Sequence, residues 1–269
     1  VVGRATRLAR FLSAADKRYA ATIRLGVSTD TYDAAGAPVG PACEGPWPDP
    51  DAVDTALAAF RGTFLQQPPA FSAKKIAGQR SYALARRDRR DTAGCEPAAH
   101  VASAPQPEPV MVTARAIDLL RVEGPTVHLE VTCSAGFYVR SLAHDLGVAL
   151  HTGAHLTALR RTMSAGVPIE SAVALAVLEQ GGIDTALAAL VPLDAMLPGM
   201  PAVRLTPEAV KGVACGRDVG PADTIEGAIF GLPVVPGAWL RLLDPAGHLV
   251  AVAEPSRTPG LLHPAVVLM

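Results

Sequence analysis

Residues 110–133 read VMVTARAIDLLRVEGPTVHLEVTC, and residues 134–150 continue SAGFYVRSLAHDLGVAL. The first run holds two segments with strand composition, Val110–Val122 and Thr126–Cys133, separated by Glu123-Gly124-Pro125. Gly and Pro in so short a connection predict a tight turn between two strands. The spacing of apolar residues then changes, and Val139–Leu150 reads as a helix. A strand pair running into a helix that can cover it predicts an α+β fold, here a mixed sheet with flanking helices.

Working outward, Arg4–Leu12 is expected to be helical, with Ala5, Leu8, Ala9 and Leu12 on one face. Tyr19–Leu25 reads as a strand and Thr29–Gly36, rich in Asp, Thr and Gly, as a turn. Asp51–Arg61 is an amphipathic helix capped by Asp49 or Asp51 and stopped by Gly62. Ser81–Arg89 reads as a short basic helix and Thr92–Pro109, with four prolines, as a long loop. Downstream, Ala154–Arg161 continues toward a second hydrophobic surface, and Ile169–Gln180 is expected to be a helix ended by Gly181-Gly182. Pro192, Pro198 and Pro201 mark a boundary. Beyond it a short helix, Thr206–Gly212, precedes strand-like runs at Trp239–Leu243, Leu249–Ala253 and Ala265–Leu268. The expected domains are therefore 1–197 and a small β-rich module at 198–269.

The chain has 269 residues, enough for a substantial core, and a net charge of −1. That balance argues mildly against a nucleic-acid partner, because phosphate neutralisation needs Lys and Arg. Local patches do the binding, however, and from Phe71 to Arg90 seven basic residues face one acid, Asp88. By charge alone a solvated helix face explains the run equally well. Cys43, Cys95, Cys133 and Cys215 form no CxxC pair, which disfavours a zinc site, and their scatter predicts reduced thiols in a cytoplasmic protein. No apolar run reaches the roughly 18 residues of a membrane span, and no signal peptide is apparent. His151 and His155 have the spacing of a helical metal pair, but Thr152-Gly153 between them weakens a helix, so no metal is expected.

Four stretches carry candidate chemistry. The first runs Asp16-Lys17-Arg18-Tyr19, then Arg24-Leu25-Gly26 and Thr29-Asp30-Thr31-Tyr32-Asp33-Ala34-Ala35-Gly36. The second is Pro68-Pro69-Ala70-Phe71-Ser72-Ala73-Lys74-Lys75, followed by Gly78, Tyr82, Ala85 and Arg86. The third is Cys133-Ser134-Ala135-Gly136-Phe137-Tyr138-Val139-Arg140-Ser141-Leu142, reaching Asp145-Leu146-Gly147. The fourth is Gly153-Ala154-His155-Leu156 with Leu159-Arg160-Arg161. Read singly, Tyr19 is a strand tyrosine with a buried ring, Leu159 a core leucine and Arg140 half of a surface ion pair. Tyr138 and Arg140, two apart, share one face if the segment is extended.

Taken in order, the four stretches resemble the TruB-type tRNA pseudouridine synthases, with the tail from about Pro201 resembling that family's PUA-like RNA-binding domain more loosely. The resemblance implies conversion of the TΨC-loop uridine of tRNA, position 55 by tRNA convention, to pseudouridine, with no cofactor and no metal. It implies that Tyr19 offers an aromatic face to a flipped base, a step such chemistry requires. It further implies that Arg140 grips a catalytic carboxylate, that Tyr138 lies against the base and takes the carbon-bound proton, and that Leu159 packs beside the base. Guanidinium suits the first task because it is always charged and binds carboxylates bidentately. Lys17, Ser72, Lys75 and Arg86 are the further expected substrate contacts, and Phe71 stands where the family often has Tyr. The expected partner is the TΨC arm of tRNA, met by a monomer.

The family's Gly-x-Leu-Asp-Pro motif, which holds its catalytic aspartate, does not occur in these 269 residues, and Val1–Thr6 resembles the family's segment directly after that motif. The chain is accordingly expected to be N-terminally incomplete, open on one side of its sheet and inactive. Asp30 and Asp33 are assigned to a turn and Asp145 to the helix after Arg140, so none is expected to replace the missing acid. The alternative reading is a catalytically inactive RNA-binding or tRNA-remodelling protein, or a gene fragment.

Overall fold

The computed structural model describes residues 1–72, 74–76, 79–82, 84, 106–225, 227 and 237–269. The α+β class holds. By contacts the chain divides into two compact units, Ala15–Glu170 and a second made of Val1–Ala14 with Ser171–Met269.

The larger unit is built on a six-stranded sheet. Its strands are β1 (Lys17–Leu25), β4 (Gly62–Gln66), β7 (Val110–Glu123), β8 (Thr126–Cys133), β9 (Ala154–Ser164) and β10 (Val167–Pro168), ordered β10-β9-β1-β8-β7-β4. Two short hairpins, β2 (Ser28–Thr29) with β3 (Pro38–Val39) and β5 (Lys75–Ile76) with β6 (Gln79–Arg80), lie outside it. Every pairing in the six-stranded sheet is antiparallel. The β7–β8 hairpin closes with Glu123 opposite Thr126, and Gly124 turns the chain at φ 57°, a conformation glycine adopts without penalty. On β8 the period of two is complete: Val127, Leu129, Val131 and Cys133 are buried and the residues between them are not.

That buried face is covered by two helices. The helix α2 (Pro50–Ala58) is capped by Asp49, whose side chain accepts a 2.8 Å hydrogen bond from the Ala52 N–H. It buries Val53 and Leu57. The helix α3 (Val139–Ala149) buries Val139, Leu142, Ala143 and Leu146 in the same core. The segment from Ala154 is an 11-residue strand, β9, paired with β1 along its length.

The smaller unit carries a four-stranded sheet, β11 (Ala202–Arg204), β12 (Leu240–Leu243), β13 (Leu249–Pro255) and β14 (Leu262–Val267) in sequence order. Its β11–β12 pair is parallel, the other pairs antiparallel. A helix, α5 (Pro207–Ala214), is capped by the Thr206 hydroxyl and seals one core cluster with Leu205, Leu242 and Leu262. This is the small β-rich, PUA-like module.

Two expected helices differ in detail. Arg4–Leu12 is a 3-10 segment at Gly3–Leu8 that continues as α1 (Ala9–Ala14). Ile169–Gln180 resolves into a 3-10 turn at Ile169–Ser171 and a helix, α4 (Leu175–Ala188), with Gly182 at φ 62° forming a kink inside it. A glycine pair need not end a helix when the chain resumes beyond one left-handed residue. Most of the expected basic helix Ser81–Arg89 and most of the expected loop Thr92–Pro109 fall outside the described residues.

The N-terminal segment belongs to the smaller unit by contact. Leu8 is fully buried with Leu249, Val252 and Leu268, while Phe11 meets Trp239 edge-on at 5.0 Å and Arg10 lies 4.6 Å from both rings. The two tryptophans, Trp47 and Trp239, therefore report separately on the two units. Leu8→Ala is expected to destabilise the smaller unit by about 2–5 kcal/mol. In urea titrations the transition followed by Trp239 fluorescence (Trp47→Phe background) should move to lower denaturant, while that followed by Trp47 (Trp239→Phe background) stays in place.

Candidate active site

The site begins in the loop between β2 and β3. Asp33 is held from several sides. Its carbonyl accepts the Thr29 hydroxyl at 2.7 Å, and its Oδ1 accepts the Thr31 hydroxyl at 2.6 Å and the Ala35 N–H at 3.1 Å. Asp30 Oδ1 closes the same loop by accepting the Ala37 N–H at 2.8 Å. Gly36 is required here because a Cβ would collide with the Thr31 hydroxyl and the Asp30 carboxylate. The loop is tied to β9 by two backbone bonds, Ala34 N–H to Leu156 carbonyl at 2.9 Å and Leu156 N–H to Tyr32 carbonyl at 3.0 Å.

Arg140 meets this loop from the second position of α3. Its Nη1 donates to Asp33 Oδ2 at 3.0 Å and to the Thr31 carbonyl at 3.2 Å, and its Nη2 donates to the Phe71 carbonyl at 2.8 Å. Both side chains are 26% exposed, so the pair is neither a free surface bridge nor fully desolvated. The expected helix from Val139 places Arg140 in its first turn and Tyr138 at its N-cap, so the shared face of an extended segment does not apply. One expectation is corrected here. Asp33 is not merely a turn residue, because its second carboxylate oxygen faces Arg140. A charge pair between residues 107 positions apart leaves no local signal in the sequence.

The pair opens on a cavity of about 410 Å³ whose lining includes Asp33, Ala34, Arg140, Leu156 and Leu159. Leu159 is 46% exposed, unlike a core leucine. On β1, Ala21 pairs with Leu159 and Tyr19 with Arg161, so Tyr19 and Leu159 are diagonal neighbours on one sheet face. Tyr19 is half-buried and packs against the edge of the core. Arg140 and Leu159 thus share the cavity, and Tyr19 stands on the same face as Leu159.

The other expected residues differ in their surroundings. The Lys17 ammonium donates to the Ala15 carbonyl at 2.6 Å, and burial, with help from nearby Arg161, pulls its pKa down. Ser72 is 4% exposed, and its hydroxyl has no hydrogen-bond partner among the described residues. Lys75 lies in β5 opposite Arg80 of β6. Arg86 lies outside the described residues. His151 and His155 are not on one helix face: His151 follows α3 at φ 56°, and His155, on β9, is hydrogen-bonded to the Val27 carbonyl at 2.7 Å. Among the described residues no cluster of three or more His, Cys, Asp or Glu is placed to hold a metal ion. Gln66, which the sequence did not mark, bonds the backbone of Tyr138 on both sides.

The family model of the TruB family pseudouridylate synthase N-terminal domain matches residues 1–139, and that of the tRNA pseudouridylate synthase B C-terminal domain matches residues 140–198. The chain belongs to the TruB family of pseudouridylate synthases. It is 38% identical to the tRNA pseudouridine synthase B of Solibacter usitatus (strain Ellin6076) over 269 residues, 100% of this chain and 84% of that protein. It is also 38% identical to the tRNA pseudouridine synthase B of Thiobacillus denitrificans (strain ATCC 25259 / T1), over 94% of this chain and 76% of that protein. Among solved structures, the fold is similar to a chain of a Cbf5-Nop10-Gar1 complex, with a TM-score of 0.69 at 22% identity, covering 100% of this chain and 71% of that one. A chain of an H/ACA RNP bound to a substrate RNA containing 2'-deoxyuridine gives 0.66 at 21% identity, over 100% and 71%.

These matches correct the expectation of an N-terminally incomplete and inactive TruB chain. The N-terminal-domain model is matched from residue 1, and the Solibacter protein aligns across all 269 residues present here. Neither the truncation nor the inactivity drawn from it is retained.

Behind the Asp33 loop, the Tyr32 ring stacks on His144 at 4.0 Å, and burial raises the pKa of neighbouring Asp145 to about 6. A carboxyl with a folded pKa above its unfolded value binds more protons in the native state. Its stabilising contribution is present below about pH 4 and is lost as pH rises to about 6. Asp145→Asn is expected to stabilise the larger unit at pH 7, by on the order of 1 kcal/mol once partial solvent access is allowed for. Thermal midpoints from pH 4 to 8 check this: the gain should shrink toward pH 4, and a variant less stable at pH 7 would contradict it.

Proposed function

We propose that this TruB-family chain isomerises the TΨC-loop uridine of tRNA, at position 55, to pseudouridine, acting as a monomer in the cytoplasm. The observation that carries the reading is the Arg140–Asp33 pair opening on the cavity beside Leu159. The names of the relatives support the tRNA substrate, and the RNA-bound complex of similar fold supports an RNA partner.

The chemistry fits these residue types. The N1–C1′ bond of uridine breaks, the base turns, and a C5–C1′ bond forms. N1 gains a hydrogen and C5 loses one, so product and substrate are isomers and no electron acceptor is needed. A base in a stacked loop must first leave its stack, and Tyr19 offers it a replacement aromatic face. Leu159 closes the apolar side of the cavity. Arg140 fixes the carboxylate of Asp33, the acid in the cavity lining, with its charge and two oxygens oriented. Tyr138, at the start of the same helix, receives the C5 proton late in the reaction. Lys17, Ser72, Lys75 and Arg86 are the proposed RNA contacts of the larger domain, residues 1–197, and residues 198–269 are the proposed PUA-like RNA-binding domain.

Release of tritium from tRNA transcript labelled at uracil C5 tests this directly. Turnover is expected with the chain as given. Arg140→Ala and Asp33→Asn are each expected to lower it by about 10²-fold or more, since misplacing reacting groups by an ångström costs that much. Tight tRNA binding with no release would instead favour an RNA-binding protein without catalysis. Full turnover in both variants would move the site elsewhere.

A further inference from the structure

We infer that Gln66 is a positioning residue for the reaction, holding Tyr138 and, through it, the start of α3 that carries Arg140. The inference rests on the pseudouridine synthase reading given above. Gln66 is the last residue of β4 and is 1% exposed. Its Oε1 accepts the Tyr138 N–H at 2.8 Å, and its Nε2 donates to the Tyr138 carbonyl at 3.0 Å. A side-chain amide thus forms a closed two-bond ring with one backbone residue, as a neighbouring strand would.

The residue so gripped is the one where geometry matters. Tyr138 is the N-cap of α3, at φ −110° and ψ 104°, and its own side chain makes no capping bond. Its carbonyl also accepts the first helical bond, from Leu142 N–H at 3.1 Å. Fixing the Tyr138 backbone therefore fixes the direction in which its side chain leaves the chain and the start of the helix on which Arg140 sits. Two nearby bonds reinforce the same junction: the Ser141 hydroxyl donates to the Gln67 carbonyl at 2.7 Å, and Arg140 donates to the Phe71 carbonyl. Gln66 itself is not in the cavity lining, so its action is through Tyr138 and not on the base. A hydrophobic replacement would leave a buried N–H and a half-used carbonyl, and that frees the N-cap to reorient.

Three measurements on Gln66→Leu and Gln66→Glu test the role, all well below the unfolding temperature. With Gln66→Leu, kcat for tRNA is expected to fall about 10²-fold at an unchanged tRNA Kd. With Gln66→Glu, the protonated carboxyl can both donate and accept as the amide does, whereas the carboxylate can only accept. Its kcat should therefore be partly restored at low pH and fall as pH rises, a limb absent from the wild type. Hydrogen exchange of amides 138–142 reads the clamp without turnover, and protection there should be lost in Gln66→Leu. Wild-type kcat in folded Gln66→Leu protein, with only the thermal midpoint lowered, would reduce Gln66 to a stabilising residue. Unchanged exchange protection would overturn the clamp itself. A wild type that makes no pseudouridine while exchange behaves as expected would sink the enzymatic reading and leave the clamp standing.

Discussion

The guanidinium of Arg140 is the fastening on which the site depends. It bonds the Asp33 carboxylate and Thr31 carbonyl of the β2–β3 loop and the Phe71 carbonyl of the segment after β4, while belonging to α3 itself. Three parts of the chain, distant in sequence, meet at one always-charged group. Its place in the first turn of a helix is electrostatically poor, because the N-terminal end of the helix dipole is positive. A carboxylate alongside offsets that cost, and Asp33 is held in place by Thr31 and Ala35 to do so. The pair is thus a property of the tertiary fold. Removing either member leaves the other partly buried and uncompensated.

Rigidity of the surroundings comes from ordinary packing. The alternating buried face of β8 and the apolar face of α3 share one core, which sets the height of Arg140 above the sheet. The β9 strand brings Leu159 to the cavity and, through Leu156, anchors the Asp33 loop. Gln66 ties the end of β4 to the helix start. The cavity wall is therefore assembled from elements whose positions are fixed by the hydrophobic core and by buried backbone hydrogen bonds, the arrangement that favours preorganised chemistry.

Much of this was legible in the sequence. The 110–133 hairpin follows from two strand-like runs about a Gly-Pro turn, and the helix α2 from its amphipathic pattern, with Asp49 proving to be the cap where the sequence offered Asp49 or Asp51. Arg140 and Leu159 share a cavity although the sequence only sets them 19 positions apart. What stayed hidden was contact between remote segments. Asp33 satisfies a local turn with one oxygen, so nothing nearby revealed that the other meets Arg140. Gln66 looked like any strand-end amide, because its partner is a backbone 72 residues away. The helix from Val139 was legible from its apolar spacing, and it places Arg140 in a first turn, so the shared face that an extended segment would give Tyr138 and Arg140 does not apply. The absence of one short motif was given more weight than the match of the whole chain warrants.

Mapping of the modified base is the most direct test of the central claim. An unmodified tRNA transcript incubated with the protein is treated with carbodiimide, which leaves a stable adduct on pseudouridine, and then copied by reverse transcriptase. The expected result is one new stop, at the TΨC-loop uridine. A transcript that stays free of stops, or one stopped at other uridines while position 55 is unmodified, would contradict it.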